Sequence, residues 1–238
     1  MLLDVMFNRT ELEKCEINHH IVFVADVLRA TTVMIAALTN GAKAILPQKN
    51  GASARGLYNE LLEQGIPALL CGEKDGFKIA GYDLGNSPSE YTPEMVKGKT
   101  IVHLTTNGTK TLAAAASALS VFIVSFGNIG ATAKRILELY DVSPEVLLIG
   151  SGREERYCLE DTVCLGGVIT YLLETSDKDF DLTDSAVTAV DLFHLYRNRL
   201  LDMARLSAHG KYLESVGLGA DLPECVKVDT STLTPEMR

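Results

Sequence analysis

Residues 22–38, VFVADVLRATTVMIAAL, hold the pattern that decides the fold. Val22 to Ala25 form an apolar run that ends abruptly at Asp26. Arg29, Thr31 and Thr32 follow, and then the chain turns apolar again. A short β-branched run, a polar loop and a longer apolar stretch predict a buried strand, a turn and a helix. An acid, a base and two hydroxyls at the tip of a buried strand call for a reason.

The same unit recurs along the chain. TIVHL (100–104) leads into TTNGTK and TLAAAASAL. VFIVS (121–125) leads into FGNIGAT and AKRILELY, and EVLLIG (145–150) into SGREERYCLEDT and VCLGGVITYLLE. Two weaker strands are AKAILPQ (42–48), before the helical SARGLYNELLEQG, and PALLCGE (67–73), before the polar KDGFKIAGYDLGNSPSEYTPEMVKG. Strands alternating with helices predict an α/β layer fold on a mainly parallel sheet, and continuously apolar strands predict cover on both faces. Residues 184–210, DSAVTAVDLFHLYRNRLLDMARLSAHG, predict one long C-terminal helix with Leu192, Leu195, Leu200 and Met203 as its apolar stripe. That stripe suits the core or a homodimer surface. A last strand over ECVKVD (224–229) is expected to run the opposite way. No proline-rich linker divides the chain, so one domain over 1–238 is expected.

Composition narrows the function classes. The chain has 238 residues and 22 basic side chains against 31 acidic ones, a net charge of −9. Bulk electrostatics therefore oppose nucleic acid and anionic membranes, and any anion must be held by local groups. Five scattered cysteines with no CxxC pair suggest neither a disulfide framework nor a zinc site. The N-terminus lacks a basic region followed by a long apolar one, and no apolar run is long enough to span a bilayer. A cytoplasmic protein is expected.

Ligands of open α/β sheets bind beyond the carboxyl ends of the strands. That rule would bring Asp26, Thr106, Asn128 and Arg153 towards one rim. Helix starts there offer free backbone N–H groups and the positive end of a dipole. Asn107-Gly108-Thr109 suits a phosphate, because glycine lets the backbone come close. Asn128-Ile129-Gly130 repeats the theme. Arg29 and Arg153 add forks that match carboxylate, sulfonate or phosphate oxygens. Asp26, Glu160 and Asp161 supply carboxylates for Mg²⁺, which favours one or two acids with water and substrate oxygens. Such an ion would polarise a phosphate for attack by water.

Each residue also has a plainer use. Asp26 and Arg29 can pair at i, i+3. Thr31, Thr32, Thr106 and Asn128 are ordinary helix caps. Glu160 and Asp161 suit a solvated first turn, and His103 suits a core position. Convergence at four strand ends is what favours a site.

Several chemistries are excluded by motif. Asp26 is followed two positions on by Leu28, so the Asp-x-Asp of aspartyl-phosphate enzymes is missing. Six positions beyond Cys71 and Cys158 stand Phe77 and Cys164, not the arginine of cysteine phosphatases. There is no P-loop, no GxGxxG after the first strand and no GxSxG. Metal-assisted hydrolysis without a covalent intermediate remains.

ADVLRATT, GYDLGNSPSE (81–90), LTTNGTK (104–110), GNIGAT (127–132) and GSGREERYCLEDTVCLGG (150–167), in this order, resemble the 2-phosphosulfolactate phosphatase family. The resemblance covers most of the chain. It implies a three-layer α/β/α sandwich around a mixed sheet. It also implies a Mg²⁺-dependent phosphatase that turns 2-phospho-3-sulfolactate into 3-sulfolactate and phosphate, a step of coenzyme M biosynthesis. Carried over by position, it points to Asp26, Arg29, Asn86, Ser87, Thr106, Asn107, Gly108, Thr109, Asn128, Arg153, Glu160 and Asp161. The roles expected are Mg²⁺ on Asp26 and one of Glu160 or Asp161, with Arg153 and the TTNGT turn on the phosphoryl oxygens. Arg29 and Asn128 would hold the carboxylate or sulfonate, and Asp26, Arg153 and Glu160 form the catalytic set. One departure is Lys74, where the family often has arginine. It keeps the charge and loses the fork. A phosphatase of another small phospho-acid, or a binding protein for an anionic metabolite, would use many of the same parts.

Overall fold

The computed structural model describes residues 1–237. The chain opens with β1 (Leu2–Met6), β2 (Ile21–Ala25), α1 (Ala30–Thr39), β3 (Ala44–Pro47), α2 (Gly51–Glu63) and the β4–β5 hairpin (Ala68–Lys74, Phe77–Lys78). Next come α3 (Pro93–Val96), β6 (Thr100–Leu104), α4 (Gly108–Ala114), β7 (Ser120–Val124), α5 (Ile129–Glu138), β8 (Glu145–Gly150) and α6 (Leu159–Thr175). The last elements are β9 (Asp181–Leu182), α7 (Asp184–Tyr196), α8 (Leu200–Leu206), α9 (Ala208–Ser215), α10 (Leu222–Cys225) and β10 (Glu236–Met237).

The strands form two sheets. The larger has the order β10-β7-β2-β8-β1-β9, parallel except for β10. The smaller has the order β3-β6-β4-β5, parallel except for β5. The period of two along β2 assigns its faces. Ile21, Phe23 and Ala25 pack on α5 and α6 through Ile129, Ile136, Val163 and Leu165. Val22 and Val24 share a second core with Val33 and Met34 of α1 and with Ile45, Leu69 and Ile101 of the smaller sheet. The larger sheet is thus the middle of an α/β/α sandwich, as the sequence resemblance implies. The smaller sheet closes over α1 and is covered outside by α2, where Ala54 meets Leu70 and Val102.

This layering makes a crevice. The helix after β2 lies on one face of the larger sheet, while the helices after its neighbours β7 and β8 lie on the other. Neighbouring strands whose connections leave to opposite faces open a cleft at their carboxyl ends. The register sets Ala25 beside Gly150 and Val124, so the loops after all three strands start at one level.

Three expectations are corrected. The strand units belong to two sheets, because apolar runs say how a strand is buried and not which strand it pairs with. The long helix over 184–210 is broken into α7, α8 and α9. Its first break lies at residues 197–199. The second is a cap: Ser207 Oγ accepts the Gly210 N–H at 3.0 Å and donates to the Ala204 carbonyl at 2.9 Å. Leu200 and Met203 are buried, whereas Leu195 stands exposed. Residues 224–229 form no strand. Pro223 opens the short α10, and Asp229 takes a positive φ of 50°. The antiparallel edge is instead β10 on β7. The N-terminal β1, unforeseen as a strand, sits inside the larger sheet between β8 and β9. Among the described residues no helix is long and apolar enough to cross a membrane.

Candidate active site

A pocket lies where the carboxyl ends of both sheets face each other. Asp26, Arg29, Glu73, Asn86, Thr105, Thr106, Asn107, Arg153, His209 and Tyr212 line it. Asp26 caps the end of β2. Its Oδ1 accepts the Ala30 N–H at 3.2 Å. Thr31 and Thr32 stitch the same turn: the Thr31 hydroxyl accepts the Asp26 N–H at 3.0 Å, and Thr32 donates to the Val27 carbonyl at 2.8 Å. The two hydroxyls of the opening motif therefore build the turn, and the acid is what the turn presents.

The other Asp26 oxygen, Oδ2, faces the start of α4. A Cβ on Gly108 would stand 2.8 Å from it and 2.7 Å from the Ala30 Cβ. Glycine is needed here for close approach, not for an unusual φ. Burial raises the Asp26 pKa to about 6, against a pull downwards from the His209 charge and the Ala30 N–H; Glu73 and Glu160 nearby raise it further.

Glu160 and Asp161 sit in the first turn of α6, not in the loop before it. Their tasks differ. Asp161 accepts the Val27 N–H at 2.8 Å and the Gly152 N–H at 3.2 Å, and so ties together the loops after β2 and β8. Burial holds its pKa well above the carboxylate range, with the Glu160 and Asp26 charges adding to the rise. Glu160 is 1% exposed, and neither of its carboxylate oxygens meets a hydrogen-bond donor among the described residues. The ring of His209 lies beside it, with Nδ1 at 3.5 Å from Oε1. A buried carboxylate without donors is costly unless a cation compensates it. Glu160 and the open oxygen of Asp26 are hard donors of the kind a divalent cation takes.

The basic side chains are divided as well. Arg153 stacks its guanidinium on the Tyr212 ring at 4.0 Å, and its ionic partner is the exposed Glu154 at 3.4 Å. It is a preorientated cation at the pocket wall. Arg29 is buried and committed: Nη1 donates to Asp221 at 2.5 Å and Nη2 to the Gly76 carbonyl at 2.5 Å. It lines the pocket while bracing the β4–β5 turn.

The expected residues do not all arrive. Asp26, Arg29, Asn86, Thr106, Asn107 and Arg153 line the pocket, and Gly108 lies against Asp26, whereas Glu160 and Asp161 are not among the lining residues. Asn128 is turned away. Its Oδ1 accepts the Ser125 N–H, and its Nδ2 donates to the Ile123 and Leu233 carbonyls, so both amide hydrogens are committed and none is left for an anion. Thr109 closes its own helix turn on Thr105. Ser87 hydrogen-bonds Asp221 and holds the partner of Arg29 rather than a ligand. Lys74 is exposed and not among the lining residues. His103 is fully buried in β6, and burial lowers its pKa to about 4, as suits a neutral core residue.

Four site residues were not singled out from the sequence. Glu73, at the end of β4, accepts the Thr106 N–H at 2.6 Å and the Gly76 N–H at 2.7 Å. The strand-tip rule would have found it. His209 and Tyr212 reach the pocket from α9, three residues apart on one face. Asp221 reaches Arg29 from just before α10. Only the Ser207 cap hints that the chain turns back there.

Comparison with known proteins gives the family. The family model described as 2-phosphosulpholactate phosphatase matches residues 6–238. The chain is 38% identical to a probable 2-phosphosulfolactate phosphatase of Carboxydothermus hydrogenoformans, over 99% of this chain and 93% of the relative. It is 36% identical to that of Symbiobacterium thermophilum, over 92% of each chain, and 32% identical to that of Clostridium acetobutylicum, over 99% of this chain and 97% of the relative. Motif order, fold and whole-length similarity coincide, and the chain belongs to the 2-phosphosulfolactate phosphatase family.

Proposed function

We propose that this protein is a Mg²⁺-dependent phosphatase that hydrolyses 2-phospho-3-sulfolactate to 3-sulfolactate and phosphate. The observation that carries the reading is Asp26 and Arg153 in one small polar pocket with His209, behind which His209 Nδ1 stands 3.5 Å from the buried, donor-free Glu160. Asp26 and Glu160 would hold the cation, which when bound supplies Lewis-acid polarisation of a phosphoryl oxygen. Asp161 is the strut that keeps Glu160 in place, since both its oxygens are occupied by backbone N–H groups.

The chain's own groups account for the rest. Arg153, held flat on Tyr212, neutralises charge that grows on the transferring oxygens. The side chains of Thr106 and Asn107, on the turn before α4, present donors to the same oxygens; the Asn107 side chain makes no capping bond. The side-chain NH2 of the buried Asn86 and the remaining N–H groups of Arg29 donate to the carboxylate and sulfonate end. Asp26, at the tip of β2, orients the attacking water.

The test is phosphate release from 2-phospho-3-sulfolactate and from 2-phospholactate, each with Mg²⁺ and with EDTA. The expected result is Mg²⁺-dependent release that favours the sulfonated ester. Release from neither ester in Mg²⁺ would remove the reading.

A further inference from the structure

We infer that Cys158, Glu160 and His209 form a site for a thiophilic divalent metal ion of the zinc and cobalt class. The Cys158 sulfur, a Glu160 carboxylate oxygen and a His209 ring nitrogen all lie within 4.8 Å of one another. Donors around one four-coordinate ion, at bond lengths of roughly 2.0–2.3 Å, stand about 3–4 Å apart. Small rotamer changes would close the three onto a single centre.

The elements hold the donors independently. Cys158 is the N-cap residue of α6 and makes no capping bond with its side chain. Glu160 follows in the first turn, fully buried and without a donor on either oxygen among the described residues. His209 comes from α9, which the Ser207 cap folds back towards the pocket. A carboxylate buried this way is expensive, and a thiol and an imidazole stand within 4.8 Å of it. Sulfur, nitrogen and oxygen together are the donors of zinc-like ions, whereas Mg²⁺ takes oxygen alone. Three protein ligands leave a fourth position, on the side where His209 opens onto the pocket. Binding would displace the thiol proton to solvent through that opening.

The site shares Glu160 with the proposed Mg²⁺ site, but it rests on Cys158 and His209 and is tested without catalysis. Cobalt(II) is titrated into the full chain and followed by the near-ultraviolet thiolate-to-cobalt band and the visible d–d bands. Wild type is expected to show both at one equivalent. Cys158→Ser is expected to lose the thiolate band, and both it and His209→Gln to bind Co²⁺ about tenfold more weakly or worse. Circular dichroism checks that each variant is folded. X-ray absorption on cobalt-loaded wild type needs no variant: one sulfur with nitrogen and oxygen donors is expected. No thiolate band in wild type, a band that survives Cys158→Ser, or a sulfur-free cobalt shell would overturn the site. Mg²⁺-dependent phosphate release from the same preparation reports on the reaction separately.

Discussion

Glu160 and Asp161 adjoin in sequence yet hold opposite positions in the energetics of the site. Asp161→Ala would leave the Val27 and Gly152 N–H groups buried without an acceptor. The expected loss is about 2–3 kcal/mol in a urea titration. Glu160→Gln removes an uncompensated charge and should leave the metal-free protein as stable as wild type or more so. In return, Mg²⁺ should no longer raise its melting temperature, because the ion has lost a ligand. Scanning calorimetry with and without Mg²⁺ reads both effects. Asp26 makes stability depend on pH. In the metal-free native state it keeps its proton up to about pH 6, while the unfolded carboxyl loses it near 3.8. The native state therefore binds more protons between these values. The favourable contribution is complete below the lower value and is lost as pH rises through the upper one, a change of about 3 kcal/mol. Urea midpoints in EDTA from about pH 4 to 7 should show this decline in wild type and a flatter course in Asp26→Asn. At this scale the sequence told residue type and strand-tip position, which sufficed to place Asp26, Arg153 and Thr106 at the pocket. It could not tell a ligand from a cap. Asn128 stands at a strand tip too, but its amide closes its own turn.

The elements that place the site are α6, the β4–β5 hairpin and the fold-back from α8 to α9. The hairpin turn is braced from two sides: Arg29 donates to the Gly76 carbonyl, and the Tyr212 hydroxyl donates to that of Asp75 at 2.9 Å. The fold-back depends on Gly210, where an added Cβ would stand 1.7 Å from the Ala204 carbonyl oxygen. Backbone cannot yield as a side chain can. Gly210→Ala is expected to cost about 3 kcal/mol in urea denaturation and to displace His209 from the pocket. Removing the cap with Ser207→Ala should cost about 1 kcal/mol. The apolar stripe over 184–210 reads as one helix because Ser207 interrupts it without breaking its period. That is why His209 and Tyr212 could not be placed from sequence: their position depends on a cap that ordinary helical patterning conceals.

For the whole molecule, the telling feature is a core shared by two sheets. Val22, Val24, Val121 and Ile149 of the larger sheet meet Ile45, Leu69 and Ile101 of the smaller one through α1. The strands β2, β3, β4, β6, β7 and β8 were legible, because apolar runs between turn residues are local signals; β1 and the two-residue strands β5, β9 and β10 were not. Sheet membership was not, since pairing is decided by tertiary packing. A shared core of this kind should unfold as one unit. Native-state hydrogen exchange is expected to give the amides of β2 and β6 the same opening free energy; a much weaker β6 would mean that the smaller sheet opens alone. The two sheets also bring their strand ends together, with Asp26 from one and Thr106 and Glu73 from the other, so the pocket exists only in the assembled whole. That assembly makes Asp26 the residue on which the proposed reaction depends. The decisive measurement is phosphate release from 2-phospho-3-sulfolactate at saturating Mg²⁺, with wild type and Asp26→Asn side by side and circular dichroism on both. The account predicts rapid release by wild type and a loss of about a hundredfold or more in a folded Asp26→Asn protein. An Asp26→Asn protein as active as wild type would contradict it.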